Sequence, residues 1–437
     1  MGYISLTFVS LQQNSHISFP NIEVPFQQFL NLFAKNFHEE ANMWVLEAIQ
    51  RNTTEFKDEL KLFVKEHQKE YPQFFEVQRY FSDMPPNSFF IIHKGTLQDT
   101  LLFHRYWDLL ARHHQSECIS YQDYSGQFKT GAIFTVYNLN IFGNLRVQIG
   151  TRNKSIRICR FCHGKQGEVN KFNKTVSFRN KAHAISEGLG NKKTIILEEC
   201  DACNDRFSNG IELSLIHLLS PLRSLYGLEG KGGVKTLKGV DFSLSSDAQR
   251  VSIKVDKDID LSADKPLGDS LSFDLHLRDE FIPQDVYRCL CKFALSVIPG
   301  RLCAHFGNTI NWINGEFDVR ILPSIALLQD NSFFSRIPIL LTYQRKTDDQ
   351  SLPFLVGEFH YANTIFVFIV PYSSMDRKDF AYPSDYDKFW DVFNEFRKTR
   401  DWKFEDFQPL HKIKLAIAFK FDFTQIKQNG LSDEKGH

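Results

Sequence analysis

Apolar positions along the chain change rhythm three times. Helical spacing predicts helices over residues 26–37, 39–49 and 54–67, before Tyr71-Pro72 and Met84-Pro85-Pro86 interrupt it. A further helix is predicted over 96–113, then strands over 131–137 and 145–149 with a turn at Asn144. In the middle of the chain, short β-rich runs at 175–178 and 195–197 flank a turn marked by Gly188, Gly190 and Asn191, the first run leading into Ala182-His183. A helix follows over 203–219, with Phe207, Ile211, Leu215 and Leu218 on one face and Gly210 as its weak point.

Beyond a glycine-rich linker at 227–239, strands are predicted over 251–255, 271–275, 339–343 and 364–370. One helix stands out among them, over 283–297. Pro283 lies in its first turn, and Val286, Leu290, Phe293 and Val297 form one face. The last residues, 428–437, are polar and predicted to fray. The pattern as a whole predicts a multidomain α+β chain: a mixed block over 1–155, a short motif-bearing block over 156–226, and an α+β block over 227–437.

Composition changes this picture little. Phe is abundant at 42 copies, but that names no function. No apolar run approaches the roughly 20 residues that span a bilayer. The start of the chain has no basic segment followed by a small-residue cleavage site, so a cytoplasmic protein is expected, without membrane association. The net charge of zero argues against a uniformly basic nucleic-acid coat. The charge is uneven, however. Between Arg146 and Lys193 stand twelve basic residues, among them Arg179, Lys181, Lys192 and Lys193, opposed only by Glu168 and Glu187. Such a patch suits phosphate.

The chemistry lies in the cysteines. Of eight, Cys159 and Cys162 form one Cys-x-x-Cys pair, and Cys200 and Cys203 form another. Two such pairs in a long chain with no export signal suit a tetrahedral zinc with four thiolate ligands. Cys118, Cys289, Cys291 and Cys303 have no such spacing and read as buried small hydrophobes. Cys159-Arg-Phe-Cys162-His163 also fits a c-type haem attachment pattern, but that chemistry needs export and leaves Cys200 and Cys203 without a role.

The stretch from Cys159-x-x-Cys162 through Lys181-Ala-His183-Ala-Ile-Ser-Glu-Gly-Leu-Gly190-Asn191 to Glu199-Cys200-Asp-Ala-Cys203-Asn204 resembles the HNH endonuclease family, whose fold is a ββα-metal finger. The resemblance covers residues 156–226 and implies metal-dependent hydrolysis of phosphodiester bonds in DNA, with RNA as an alternative substrate. It places the catalytic general base at His183 and the final motif position at Asn204. Asn191 takes the middle position and orients His183 or the hairpin. It further implies a structural Zn²⁺ on the four cysteines and a catalytic Mg²⁺ or Mn²⁺. Arg179, Lys181, Lys192 and Lys193 are expected to grip backbone phosphates.

Two positions depart from the family pattern. Ala182 stands where many members carry an acidic metal ligand, and Ser186 where many carry proline. Another oxygen must then serve the catalytic metal, from among Glu187, Asp201, Asp205 and Glu212. Family members with large added regions often act in restriction or anti-phage defence, and double-strand cutting by a single-site finger implies a homodimer. The rival expectation is a zinc-stapled nucleic-acid-binding protein that does not cleave.

Overall fold

Leu6 and Phe8 alternate with Ser5 and Thr7 in the opening strand, and both apolar side chains are buried. The computed structural model describes residues 3–11, 14–20, 23–38, 43–46, 49–95, 106, 109–110, 136–143, 147–240, 242–246, 251–255, 270–319, 321–329, 334–397 and 401–422. The N-terminal elements are β1 (Tyr3–Ser10), β2 (Asn14–Pro20), α1 (Glu23–Asn31), β3 (Ala34–His38), β4 (Met43–Leu46), β5 (Ile49–Arg51), α2 (Thr54–His67), α3 (Gln73–Asp83) and β6 (Phe89–Lys94). One antiparallel sheet has the order β2-β1-β6-β5, and β3 pairs with β4.

The Thr53 hydroxyl caps α2 by accepting the Phe56 N–H at 3.1 Å. The helix turns Phe56, Leu60 and Phe63 inward, where they meet Phe29, Phe33, Phe74 and Phe81. Burying each such phenyl ring contributes about 1.5–3 kcal/mol. Ten of the 42 phenylalanines pack this small core.

The remaining strands are β7 (Tyr137–Phe142), β8 (Val147–Ile149), β9 (Ala182–His183), β10 (Thr194–Ile196), β11 (Leu237–Lys238), β12 (Phe242–Ser246), β13 (Val251–Val255), β14 (Ser270–Phe281), β15 (Ile325–Gln329), β16 (Ser335–Arg345), β17 (Leu355–Ala362), β18 (Thr364–Ile369), β19 (Lys403–Glu405) and β20 (Ile413–Asp422). The helices are α4 (Asp201–Ser208), α5 (Ile211–Leu225), α6 (Pro283–Val297), α7 (Gly300–Cys303), α8 (Gly307–Ile313) and α9 (Pro383–Arg397). The largest sheet has the order β19-β15-β18-β17-β16-β7, so a strand from before the cysteines completes a sheet made mostly of the C-terminal region. A smaller sheet, β8-β10-β9, carries His183. The chain is thus mixed α and β with several small sheets. Among the described residues no helix is long and apolar enough to cross a membrane.

Helix α6 lies at the centre. Its predicted apolar face is buried, but so are Cys289, Cys291 and Lys292 on its other faces. The helix packs against α5, α8 and strands β16 and β17, which leaves it no solvent face. One buried cluster runs continuously from Cys159 and Phe161 through Leu215 and Leu290 to Phe366 and Phe407. The core enclosing the four cysteines therefore extends well into the C-terminal region.

Several local expectations are corrected. The helix predicted over 39–49 is replaced by β4 and β5, because Met43 to Leu46 is a continuous apolar run that fits a strand as well as a helix, and pairing with β3 decides. The helix predicted over 26–37 ends at Asn31, and its last part becomes β3. The helix over 203–219 divides into α4 and α5 at Gly210, whose φ of −122° and ψ of −105° are not helical. The strand over 175–178 is reduced to a single bridge between Val169 and Thr175, because Val176 N–H bonds back to Glu168 at 2.8 Å within the same loop. The regions predicted at 96–113, 131–135, 144–146 and 428–437 lie outside the described residues, apart from Tyr106, Leu109 and Leu110.

Candidate metal centre and adjoining basic pocket

The two cysteine pairs meet. The Sγ atoms of Cys159, Cys162, Cys200 and Cys203 all lie within 4.8 Å of one another, and all four residues are buried. The Cys162 and Cys200 sulfurs are 3.7 Å apart. A tetrahedron with Zn–S bonds of about 2.3 Å has S–S edges of about 3.8 Å, so the spacing fits a four-thiolate metal site. Among the described residues this is the sole cluster of three or more His, Cys, Asp or Glu donors arranged to hold a metal ion. With four protein ligands a bound zinc has no open position, so its contribution is structural.

Local chain geometry builds each half of the site. The first knuckle closes through the Cys159 N–H to the Gly164 carbonyl at 3.0 Å and the His163 N–H to the Cys159 carbonyl at 2.9 Å, with His163 at a φ of +60°. A Cβ on Gly164 would lie 2.5 Å from Val176 Cγ2, so the turn needs glycine. The second pair opens α4, with the Cys200 N–H pointing at Cys159 Sγ, 3.4 Å away. Hydrogen bonds from neighbouring thiols pull the Cys162 and Cys200 thiols down, and burial pushes Cys159 up. One turn after Cys203, Arg206 lies 4.0 Å over the Phe172 ring and donates to the Asn314 carbonyl at 2.9 Å, tying the centre to the C-terminal region.

His183 ends β9. It pairs with Ile195 of β10, which in turn pairs with Gln148 of β8, so these three share one face of the small sheet. The neighbouring register, Ala182, Ile196 and Ile149, faces the core. Beside His183 lies a pocket of about 410 Å³ lined also by Lys154, Arg179, Lys181, Lys192 and Lys193. Among the described residues no carboxylate lines it. Lys154, Arg179, Lys181 and Lys192 are exposed and form no ion pair among the described residues. Arg157, also in the lining, is buried and spent on the Thr151 and Arg152 carbonyls at 2.9 and 2.8 Å. Arg160 is likewise consumed, by Glu198 at 2.8 Å and by carbonyls at the end of α6.

The His183 side chain is 18% exposed. Burial lowers its pKa, and Lys292 and Lys231 act in the same direction, while Glu187 and Glu212 oppose them. A half-buried imidazole kept neutral in this way can accept a proton near pH 7. Its Nδ1 is buried and lacks a hydrogen-bond partner among the described residues. Its Nε2 is 3.9 Å from Glu187 Oε2, a carboxylate that is also 3.8 Å from Lys231.

The other expected site residues separate. Asn191 is buried at the hairpin turn. Its amide donates to the Ile185 carbonyl at 2.8 Å and accepts the Thr194 N–H at 3.2 Å, so it holds the hairpin and not the imidazole. Asn204 lies half-buried in α4, its N–H bonded to the Cys200 carbonyl at 2.9 Å. Neither asparagine lines the basic pocket. The four carboxylates that could replace an acid at Ala182 also separate. Asp201 accepts from the Ser177 hydroxyl and from the Arg179 and Asn180 amides, so it is already engaged. Glu212 is paired with Lys292 at 2.9 Å, and Asp205 is exposed on α4. Of these four, Glu187 comes within 3.9 Å of His183 Nε2, and Glu212 lies near enough to raise the imidazole's pKa.

A buried ionic group lies under the site. Lys292 of α6 is fully buried, 3.1 Å from Glu199 and 2.9 Å from Glu212. Burial pushes Glu199 up to about 7. The available signal was a lysine flanked by Cys291 and Phe293 in the apolar second half of the helix.

No protein-family model, curated protein or solved structure matches the chain. The functional reading therefore rests on residues and geometry.

Proposed function

We propose that the protein is a metal-dependent endonuclease of the HNH type that hydrolyses phosphodiester bonds in DNA. The observation supporting this most directly is the meeting of a neutral, half-buried His183 with Arg179, Lys181, Lys192 and Lys193 at one pocket beside a four-cysteine centre. In this reading the basic side chains hold backbone phosphates without reading sequence, and His183 takes the proton of the attacking water. Asn191 keeps the hairpin in register, and Asn204, which lies on α4 outside the pocket, takes no part in the proton transfer. A bound Mg²⁺ or Mn²⁺ would neutralise charge on the phosphate and the leaving oxygen. Such ions commonly take one or two carboxylates and complete their shell with water and substrate oxygens, for which Glu187 is suitably near. The Zn²⁺ staples the knuckles and takes no part in the chemistry. The flanking regions would select the target, as expected of a restriction or anti-phage enzyme.

A second reading has its own support. Ala182 is buried where an acidic ligand would be expected, and no second metal-donor cluster adjoins His183 among the described residues. These features favour a zinc-stapled protein that binds nucleic acid without cutting it. Nicking of supercoiled plasmid in Mg²⁺ or Mn²⁺, abolished by His183→Ala, supports the enzyme. Equal inertness of both proteins, with DNA binding intact, supports the binding module.

A further inference from the structure

The Lys292 ammonium meets three oxygens from three separate segments, two as hydrogen-bond acceptors and one as an ion-pair partner. Glu212 Oε1, in the first turn of α5, is 2.9 Å away. Glu199 Oε2, immediately before the Cys200 ligand, is 3.1 Å away. The third is the backbone carbonyl of His183 itself, at 3.3 Å. Lys292 and Glu199 are wholly buried and Glu212 nearly so. Neither Glu199 carboxylate oxygen has a hydrogen-bond partner of good geometry among the described residues, so Glu199 meets Lys292 as an ion pair.

Burying such a group is costly, and apolar side chains of similar volume would often stabilise a fold equally well. Its arrangement does something that apolar packing cannot. It fixes a backbone oxygen directionally, at the residue whose side chain borders the basic pocket. It also ties that strand to the second cysteine knuckle and to the helix that follows.

We propose that Lys292 is a positioning residue for His183: from the C-terminal region, it holds the β9 backbone against the second knuckle and α5, so that the imidazole keeps its place at the basic pocket. Helix α6 then belongs to the working site, although it lies far outside the cysteine-bearing segment. The catalytic half of this inference rests on the proposed cleavage reaction; the geometric half does not.

The test uses full-length, zinc-loaded protein and two variants. Lys292→Met removes the ammonium but leaves two buried carboxylates. Lys292→Met combined with Glu199→Gln and Glu212→Gln removes every charge of the group, and so remains informative if the single variant does not fold. Native mass and thermal melting establish the fold and the metal content.

Two readouts follow. In plasmid nicking, kcat falls about 100-fold while KM for DNA is unchanged, the size expected from displacing a catalytic group by about 1 Å. Independently of cleavage, modification of His183 by diethyl pyrocarbonate, followed by peptide mass, becomes several-fold faster. A lysine that only stabilises the fold would lower the melting temperature and move neither readout. Folded, zinc-loaded variants with wild-type His183 modification and wild-type kcat overturn the proposal. If the wild type does not nick DNA, the endonuclease reading fails, and the modification rate alone still decides whether Lys292 positions His183.

Discussion

The Asp201 carboxylate accepts the backbone N–H of Asn180 at 2.9 Å. The same group accepts the Arg179 N–H at 3.1 Å and the Ser177 hydroxyl. The residue following the Cys200 ligand thus shapes the loop that presents Arg179 and Lys181 to the pocket. Asp201→Ala should destabilise the protein by about 0.5–1.5 kcal/mol, the usual net contribution of a hydrogen bond, because the Arg179 and Asn180 donors are exposed and can turn to water. It should also weaken DNA binding through loss of loop order. Thermal melting and a binding isotherm check both, and an unchanged melting temperature would show that water replaces the carboxylate.

The four-cysteine centre predicts one zinc per chain. Cys162→Ser or Cys200→Ser should abolish or strongly weaken metal retention and lower the melting temperature, because the knuckles share a core with α5 and α6. Metal analysis of purified protein, with and without a chelator, reads the stoichiometry directly. Gly164→Ala tests the same centre without touching a ligand. Its Cβ would collide with Val176, and overpacking of this kind costs about 1–3 kcal/mol.

His183 predicts a pH effect of defined sign. Its folded pKa lies below the ordinary value of 6.5, burial being the main cause. As pH falls, the unfolded chain takes up the proton first. The stabilising contribution is therefore present above the unfolded value and is lost as pH falls from there through the lowered folded value. Melting curves of wild type and His183→Ala between about pH 7 and pH 5 should converge toward the acid end. Curves that stay parallel would mean that His183 is not held neutral by the fold.

Lys181 and Lys192 predict a salt effect. If each contacts one phosphate, replacing either by Ala should weaken DNA binding across all sequences and reduce the salt slope by about 1. A sequence-dependent loss would instead point to base contact.

These sites differ in how far the sequence disclosed them. The cysteine cluster was legible because Cys-x-x-Cys spacing directly encodes a ligand pair. Helices α2 and α6 were legible because local signals mark their ends: Thr53 caps the first, and Pro283 opens the second. Strand β8 was only half legible. Its existence follows from Val147 to Ile149, but its parallel pairing with β10 is a long-range choice. The β3–β4 hairpin was missed for the same reason, since pairing decided an ambiguous apolar run. The role of Lys292 was not legible, because Glu199, Glu212 and His183 meet it only after folding. Asn191 was assigned to the imidazole or the hairpin, and its hydrogen bonds select the hairpin.

The most direct test of the account is nicking of supercoiled plasmid by zinc-loaded, full-length protein in Mg²⁺ or Mn²⁺, beside His183→Ala matched for fold and zinc content. The account predicts metal-dependent nicking by the wild type and its loss in the variant, with DNA binding retained by both. Absence of nicking by the wild type, or equal nicking by both proteins, would contradict it.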